Sequence, residues 1–346
     1  MSTLLAIDDL VVEFKTPAGW VRAVDQVSWD VSPGEIHAVV GESGSGKSVT
    51  ALTILRLVAT PPGRISGGSI RFAGSDLLTA DDQTIRDVRG GRIGMVFQEP
   101  MTSLNPVLSI GRQLTEGMRD HLGLDRKAAR ARAVELLGLV GISEPERRLK
   151  QYPHHLSGGM RQRVMIAMAL SCKPELIIAD EPTTALDVTI QAQILELMQD
   201  LCRRLGVALV IITHNLGIVA RYADRVTVMY AGRVVEEGTA DDIYHRPSHP
   251  YTIGLLNSVP RLDRPRGAPL EPIPGNPPDI LNRPAGCAFR PRCAFARPSC
   301  AEAVPPLTPV GPVADAATLA HRSACFELDR LGIEHPHTRT AAGAPA

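Results

Sequence analysis

Residues Ile36 to Ser48 read Ile-His-Ala-Val-Val-Gly-Glu-Ser-Gly-Ser-Gly-Lys-Ser, an apolar pentapeptide running straight into a glycine-rich turn. The pentapeptide has the composition of a buried strand, and Gly41 to Ser48 has the spacing Gly-x4-Gly-Lys-Ser. Glycine is needed where a loop brings backbone N–H groups against phosphate oxygens. Lysine reaches the β and γ phosphates, and the final hydroxyl suits Mg²⁺. A helix beginning near Lys47 adds the positive end of its dipole to the same anion. Gly41, Ser43, Gly44, Ser45, Gly46, Lys47, Ser48 and Val49 are therefore the expected phosphate cradle. A flexible turn without a ligand is the weaker alternative.

A phosphate loop alone says only that a nucleoside triphosphate binds. Leu176 to Pro182 (Leu-Ile-Ile-Ala-Asp-Glu-Pro) narrows the choice, because an apolar strand here ends in two adjacent carboxylates and a helix-stopping proline. Asp180 is placed to hold Mg²⁺ and Glu181 to orient water. Standing alone, two acids at a strand end could be an ordinary polar cap; beside a phosphate loop that reading loses weight. A third string, Leu156 to Arg163 (Leu-Ser-Gly-Gly-Met-Arg-Gln-Arg), precedes the helical stretch Val164 to Leu170. A serine and two glycines ahead of a helix make a second anion-binding N-terminus, for which one chain has no obvious need.

This third string resembles the signature of the ABC ATPases, and further positions of that family follow in order. The resemblance implies that Ser157, Gly158, Gly159 and Gln162 close over nucleotide held by an opposite subunit, giving a head-to-tail pair with two composite sites. Gln98, after the strand-like run Arg92 to Phe97, matches the Q-loop, which is implied to touch Mg²⁺ or water. Thr184 to Asp187 matches the D-loop. His214, after the apolar run Val207 to Thr213, matches the switch histidine, although a lone histidine at a strand end is more often structural. Phe14 is the expected aromatic stacked on adenine, with Trp20 as the alternative. The implied ligands are ATP and Mg²⁺, the latter on Ser48, Gln98 and Asp180, and the implied catalytic residues are Glu181, His214 and Gln98. The implied fold is the α/β P-loop ABC ATPase domain: a mainly parallel sheet core, an antiparallel β subdomain and an inserted helical subdomain.

Two strings point to a branch of the family. Phe97 to Pro106, and the pair Ser248 to Thr252 and Ile273 to Asp279, look like the ATP-binding subunits of dipeptide and oligopeptide importers, a branch that includes nickel importers. The resemblance runs from Leu4 to about Phe326. It implies a translocase subunit that hydrolyses ATP to drive peptide import, held peripherally on the cytoplasmic face of the membrane. The partners implied are two transmembrane permease subunits, a second ATPase subunit of a different chain, and a periplasmic or lipoprotein substrate-binding protein. A nickel-importer ATPase of the same branch, or a soluble ABC ATPase acting on nucleic acid or ribosomes, are the other readings.

Composition bears on these choices. There are 37 basic and 37 acidic residues, so no basic face is announced and nucleic acid is not the expected partner. Apolar runs stay shorter than a bilayer crossing requires, and Met1 to Leu5 precedes acids instead of a signal-peptide pattern, which predicts a cytoplasmic chain. Of the 28 prolines, 18 fall between Pro247 and Pro345, so a regular α/β pattern ends near residue 255. Residues 1–255 are thus expected to form the nucleotide-binding domain, with a helical subdomain at about 99–165 that includes the helically spaced Arg126 to Val140. The basic face of that stretch reads as solvated. Residues 256–346 form an extension expected to fray after about 333.

Six cysteines remain. Cys172 and Cys202 read as small buried apolar residues. Cys287, Cys293, Cys300 and Cys325 lie in the proline-rich tail, separated by five, six and 24 residues. A reducing cytoplasm disfavours disulfides, and zinc usually wants a two-to-four-residue gap that is missing here. A [4Fe–4S] cluster takes four thiolates at varied spacing, and the resemblance implies one in some relatives of this branch. The expectation is therefore an iron–sulfur cluster, with zinc or unliganded thiols as alternatives, and with Arg290, Arg292 and Arg297 offsetting its charge.

Overall fold

The computed structural model describes residues 3–184, 186–219, 221–258, 272–311 and 320–328. Ala185 of the expected D-loop and the expected fraying after residue 333 lie outside them.

The strands are β1 (Leu5–Thr16), β2 (Gly19–Val31), β3 (Ile36–Val40), β4 (Gly63–Phe72), β5 (Ser75–Asp76), β6 (Ile93–Val96), β7 (Leu176–Asp180), β8 (Ala208–Thr213), β9 (Arg225–Tyr230), β10 (Arg233–Thr239), β11 (Thr308–Pro309) and β12 (Arg322–Ser323). The helices are α1 (Lys47–Ile54), α2 (Asp82–Val88), α3 (Pro100–Ser103), α4 (Ile110–Leu122), α5 (Arg126–Leu139) and α6 (Pro145–Arg148). They continue with α7 (Gly158–Ala169), α8 (Val188–Leu205), α9 (Leu216–Val219), α10 (Ala240–His245), α11 (Pro250–Asn257) and α12 (Ser299–Glu302). One sheet has the order β2-β1-β4-β5 and is antiparallel; the other runs β11-β12-β10-β9-β3-β8-β7-β6. The β9-β3-β8-β7-β6 portion is parallel, and β10, β12 and β11 add to it antiparallel.

The central strands are apolar without alternation because both faces are covered, as parallel sheets require. In β7, Ile177 and Ala179 pack into the core beneath the helical insert, whereas Leu176 and Ile178 face the core shared with the antiparallel sheet. Register then positions the chemistry. Val40 pairs with Thr213 and Val228, and Asp180 pairs with Ile212, so the carboxyl ends of β3, β7 and β8 lie side by side. In an open α/β sheet this edge is where ligands bind. Between β6 and β7 the described residues form helices only; α4 starts on the Ser109 cap and stops at Gly123 in the left-handed region.

The tail is tied to this sheet by buried polar anchors. Glu236, fully buried on β10, accepts the backbone N–H groups of Ser248 and His249, and His321 Nε2 lies 2.8 Å from the same carboxylate. Tyr230, Tyr251 and Phe289 meet edge-on or tilted, with centroids 4.6 to 5.5 Å apart, an arrangement worth about 1 kcal/mol per pair beyond the area it buries.

Cys172 and Cys202 are buried, and burial pushes the Cys202 thiol up to about 12. The iron–sulfur expectation is not met. Cys287, Cys293, Cys300 and Cys325 do line one cavity, but its volume is about 20 Å³, room for about one water molecule and not for a four-iron cube. No group of three or more His, Cys, Asp or Glu side chains among the described residues could hold a metal ion, so the zinc alternative has no support either. Burial also pushes the Cys287 thiol up, and those of Cys293 and Cys325 up to about 11.

Candidate functional site

The turn from Gly41 to Ser48 leaves β3 and enters α1. Two of its glycines are forced by neighbouring backbone. A Cβ on Gly41 would stand 2.2 Å from the Met229 carbonyl of β9, and one on Gly46, where φ is +97°, would stand 2.6 Å from the Ala23 carbonyl. The buried Lys47 ammonium donates to the carbonyls of Gly41 (2.7 Å) and Glu42 (2.9 Å) and to Ser45 Oγ (3.3 Å). Burial lowers its pKa, while the charges of Glu181, Asp180 and Glu42 act against that shift. A lysine so placed holds the loop curled around its own cation.

At the end of β7 the two carboxylates take different environments. Asp180 is buried and accepts from Ser48 Oγ at 2.8 Å. Burial first, and then the charge of Glu181, raise its pKa, whereas Ser48 and Lys47 hold it down. A buried carboxylate against a hydroxyl, raised in pKa for want of charge compensation, is a donor set that fits Mg²⁺. Glu181 is one of the few non-glycine residues in the left-handed region, at φ +46°, held there by its N–H donating to the Ile212 carbonyl at 2.9 Å. That conformation costs about 1–2 kcal/mol and is the kind of strain that collects at active sites. Its carboxylate accepts from Gln98 Nε2 at 3.0 Å and Thr184 Oγ1 at 2.8 Å, and His214 Nδ1 lies 3.4 Å away. The loop residues from Glu42 to Val49, with Gln98, Glu181 and His214, line one open cavity of about 550 Å³.

The remaining expected residues lie outside that cavity's lining. Ser157 caps α7 by accepting from the Met160 N–H at 3.4 Å, and Asp187 caps α8 by accepting from the Ile190 N–H at 3.0 Å. A Cβ on Gly158 would meet Leu186 at 3.8 Å and one on Gly159 would meet Ile190 at 3.5 Å, so the two segments pack together. Gln162 is buried with its Nε2 unpaired. Phe14 is half-buried, its ring edge 3.2 Å from where a Cβ on Gly63 would sit. Trp20 is exposed and covered by the Arg64 guanidinium, 3.7 Å from the ring centroid, a cation–π contact.

Sequence reasoning missed two participants. Thr184 was visible only as part of a motif, yet its hydroxyl orients Glu181. Glu42 occupied a variable position of the loop pattern, although the tail reaches it through Tyr251, whose hydroxyl accepts the Glu42 N–H at 2.7 Å. The tail string containing Tyr251 was legible as a branch marker and carried no hint of its target.

The family model "ABC transporter" matches residues 24–184, and "Oligopeptide/dipeptide transporter, C-terminal region" matches residues 235–300. The oligopeptide transport ATP-binding protein OppD of Bacillus subtilis is 53% identical over 307 residues, which cover 89% of this chain and 86% of that protein. The dipeptide transport ATP-binding protein DppD of the same organism is 53% identical over 293 residues, covering 85% and 87%. Among solved structures, the dimeric ATP-binding cassette MJ0796 bound to ADP and Pi superimposes with a TM-score of 0.61 at 27% identity, over 68% of this chain and 98% of that one. CbiO1 of Clostridium perfringens, part of the ABC transporter complex CbiONQ, gives 0.61 at 28% identity over 71% and 92%.

Proposed function

This chain belongs to the ABC transporter family, in its oligopeptide/dipeptide branch, and from that premise we propose that it is the subunit that hydrolyses ATP to energise a peptide importer. The observation that carries the reading is the cluster at the sheet edge, where Ser48 meets Asp180 and where Glu181 is held by Gln98 and Thr184 beside His214. ATP lies with its phosphates on the N–H groups of Gly44, Ser45, Gly46, Lys47 and Ser48. Ser48 and Asp180, with Gln98, would hold Mg²⁺, which when bound offsets phosphate charge. Glu181 aligns the attacking water, its carboxylate fixed by two donors, and His214 steadies the γ-phosphate. Catalysis is then mostly positioning and charge stabilisation.

Ser157, Gly158, Gly159 and Asp187 act on the nucleotide of a second ATPase subunit of a different chain, whose own signature completes this site, whereas Gln162, expected beside them, is buried within its own chain. The absence of Ser157 from the lining of the cavity around its own phosphate loop supports this, as does the dimeric form of the related MJ0796 cassette. Residues 1–255 do the nucleotide chemistry and residues 256–346 form the branch-specific extension; the match at 24–184 lies within the first, and the match at 235–300 begins inside the first and runs into the second. Among the described residues no helix is long and apolar enough to cross a membrane, which suits a peripheral subunit on the cytoplasmic face. It would serve two permease subunits and an external substrate-binding protein. The OppD and DppD relatives do not favour a nickel-importer or nucleic-acid role. Co-purification of the tagged chain from gently solubilised membranes tests the reading. Recovery of two polytopic permeases and a sister ATPase supports it; recovery of ribosomes or nucleic acid in their place overturns it.

A further inference from the structure

Glu42 puts a negative charge into a loop whose purpose is to receive a polyanion, and the C-terminal extension neutralises it. Arg292 Nη1 and Nη2 stand 2.7 Å and 3.0 Å from the two Glu42 carboxylate oxygens, a two-pronged pair between residues 250 positions apart. The guanidinium is itself anchored, its side chain 5% exposed, with Nε donating to the Pro274 carbonyl at 2.9 Å and Nη1 to the Tyr230 hydroxyl at 3.3 Å. Tyr251 takes the Glu42 N–H, and the Glu42 carbonyl takes the Lys47 ammonium. One loop residue is thus fixed through its side chain, its N–H and its carbonyl, and two of those three contacts come from beyond residue 249.

We infer that Arg292 is a positioning residue for the nucleotide site, which sets the phosphate loop through Glu42 and raises ATP affinity without touching the nucleotide. A planar guanidinium matches a carboxylate bidentately, and at low exposure the pair is weakly screened. Losing Arg292 has two effects of the same sign: the loop loses its brace, and an uncompensated carboxylate faces the phosphates.

The inference rests on the ATP-site reading, and the test separates the two. Equilibrium binding of Mg-ATP to the full chain is measured for the wild type, Lys47→Ala, Arg292→Gln, Arg292→Lys and the pair Arg292→Gln with Glu42→Gln, together with binding stoichiometry and thermal melting. Arg292→Gln is expected to weaken ATP about tenfold at full stoichiometry, within the usual range of coupling between linked sites. The double variant should recover most of that loss, because the stray charge leaves with its counter-ion, and Arg292→Lys should lose less than Arg292→Gln. A merely structural Arg292 would give reduced stoichiometry at unchanged affinity, and that result overturns the inference, as would a double variant no tighter than Arg292→Gln. If Arg292→Gln does not fold, Arg292→Lys decides: weakened affinity supports the inference and wild-type affinity overturns it. Equal ATP binding by wild type and Lys47→Ala would instead sink the ATP-site reading itself.

Discussion

Two helices in this chain open on glycine-rich turns, and the two turns are furnished differently. At α1 the end of the helix is surrounded by groups with chemical roles: Lys47 within the loop, Ser48 on Asp180, and Glu181 with Gln98 and His214 across the cavity. At α7 the Ser157 hydroxyl is occupied in capping its own helix. The same local device, glycine ahead of a helix, therefore stands beside paired carboxylates in one place and, under the proposed function, serves a partner's nucleotide in the other. What separates them is the sheet: β7 and β8 deliver their end residues to α1, and α7 lies in the helical insert.

The largest effect expected from this contrast is at Lys47. Lys47→Ala should weaken Mg-ATP binding by the isolated chain about a hundredfold or more, since a buried charge-assisted contact to phosphate is lost. Isothermal titration reads this directly, and retained affinity would erase the distinction drawn for α1. Ser157→Ala sharpens the contrast from the other side. ATP binding by the isolated chain should be unchanged, whereas hydrolysis by the assembled transporter should fall about tenfold. Equal losses in both assays would mean that α7 serves its own chain's nucleotide.

A smaller effect is expected from pH, acting at the cap of α11, which carries Tyr251. Complete burial depresses the His249 pKa to about 3, and its Nδ1 must stay unprotonated to accept the Tyr251 N–H at 3.1 Å. Between about pH 6.5 and 3 the unfolded chain binds a proton there that the folded chain does not, so stability falls as pH drops through this window. From pH 6.5 to 5 the cost is about 2 kcal/mol. Denaturant melts at the two pH values should show this slope in the wild type and a flatter one in His249→Asn; parallel slopes would contradict it.

The reaction edge was legible because each part of it is local. The strand runs before Gly41, Asp180 and His214 could be read as buried strands from composition, and parallel register did the rest by aligning Val40, Asp180 and Thr213. The extension was not, because what holds it operates over long separations: His321 on Glu236 spans 85 residues and Arg292 on Glu42 spans 250. No window of sequence contains both partners. The cysteine expectation failed for a related reason, since counting thiols does not give the size of the cavity they line. Thr184 shows the intermediate case, where the motif was visible and the hydrogen bond within it was not.

The claim that the strained, doubly hydrogen-bonded Glu181 aligns the attacking water is tested most directly by Glu181→Gln, measured for both Mg-ATP binding and hydrolysis in the assembled transporter. The amide keeps the shape and loses the charge that polarises water, so binding should match the wild type and turnover should fall by about a hundredfold or more. Hydrolysis at the wild-type rate in Glu181→Gln would contradict the account.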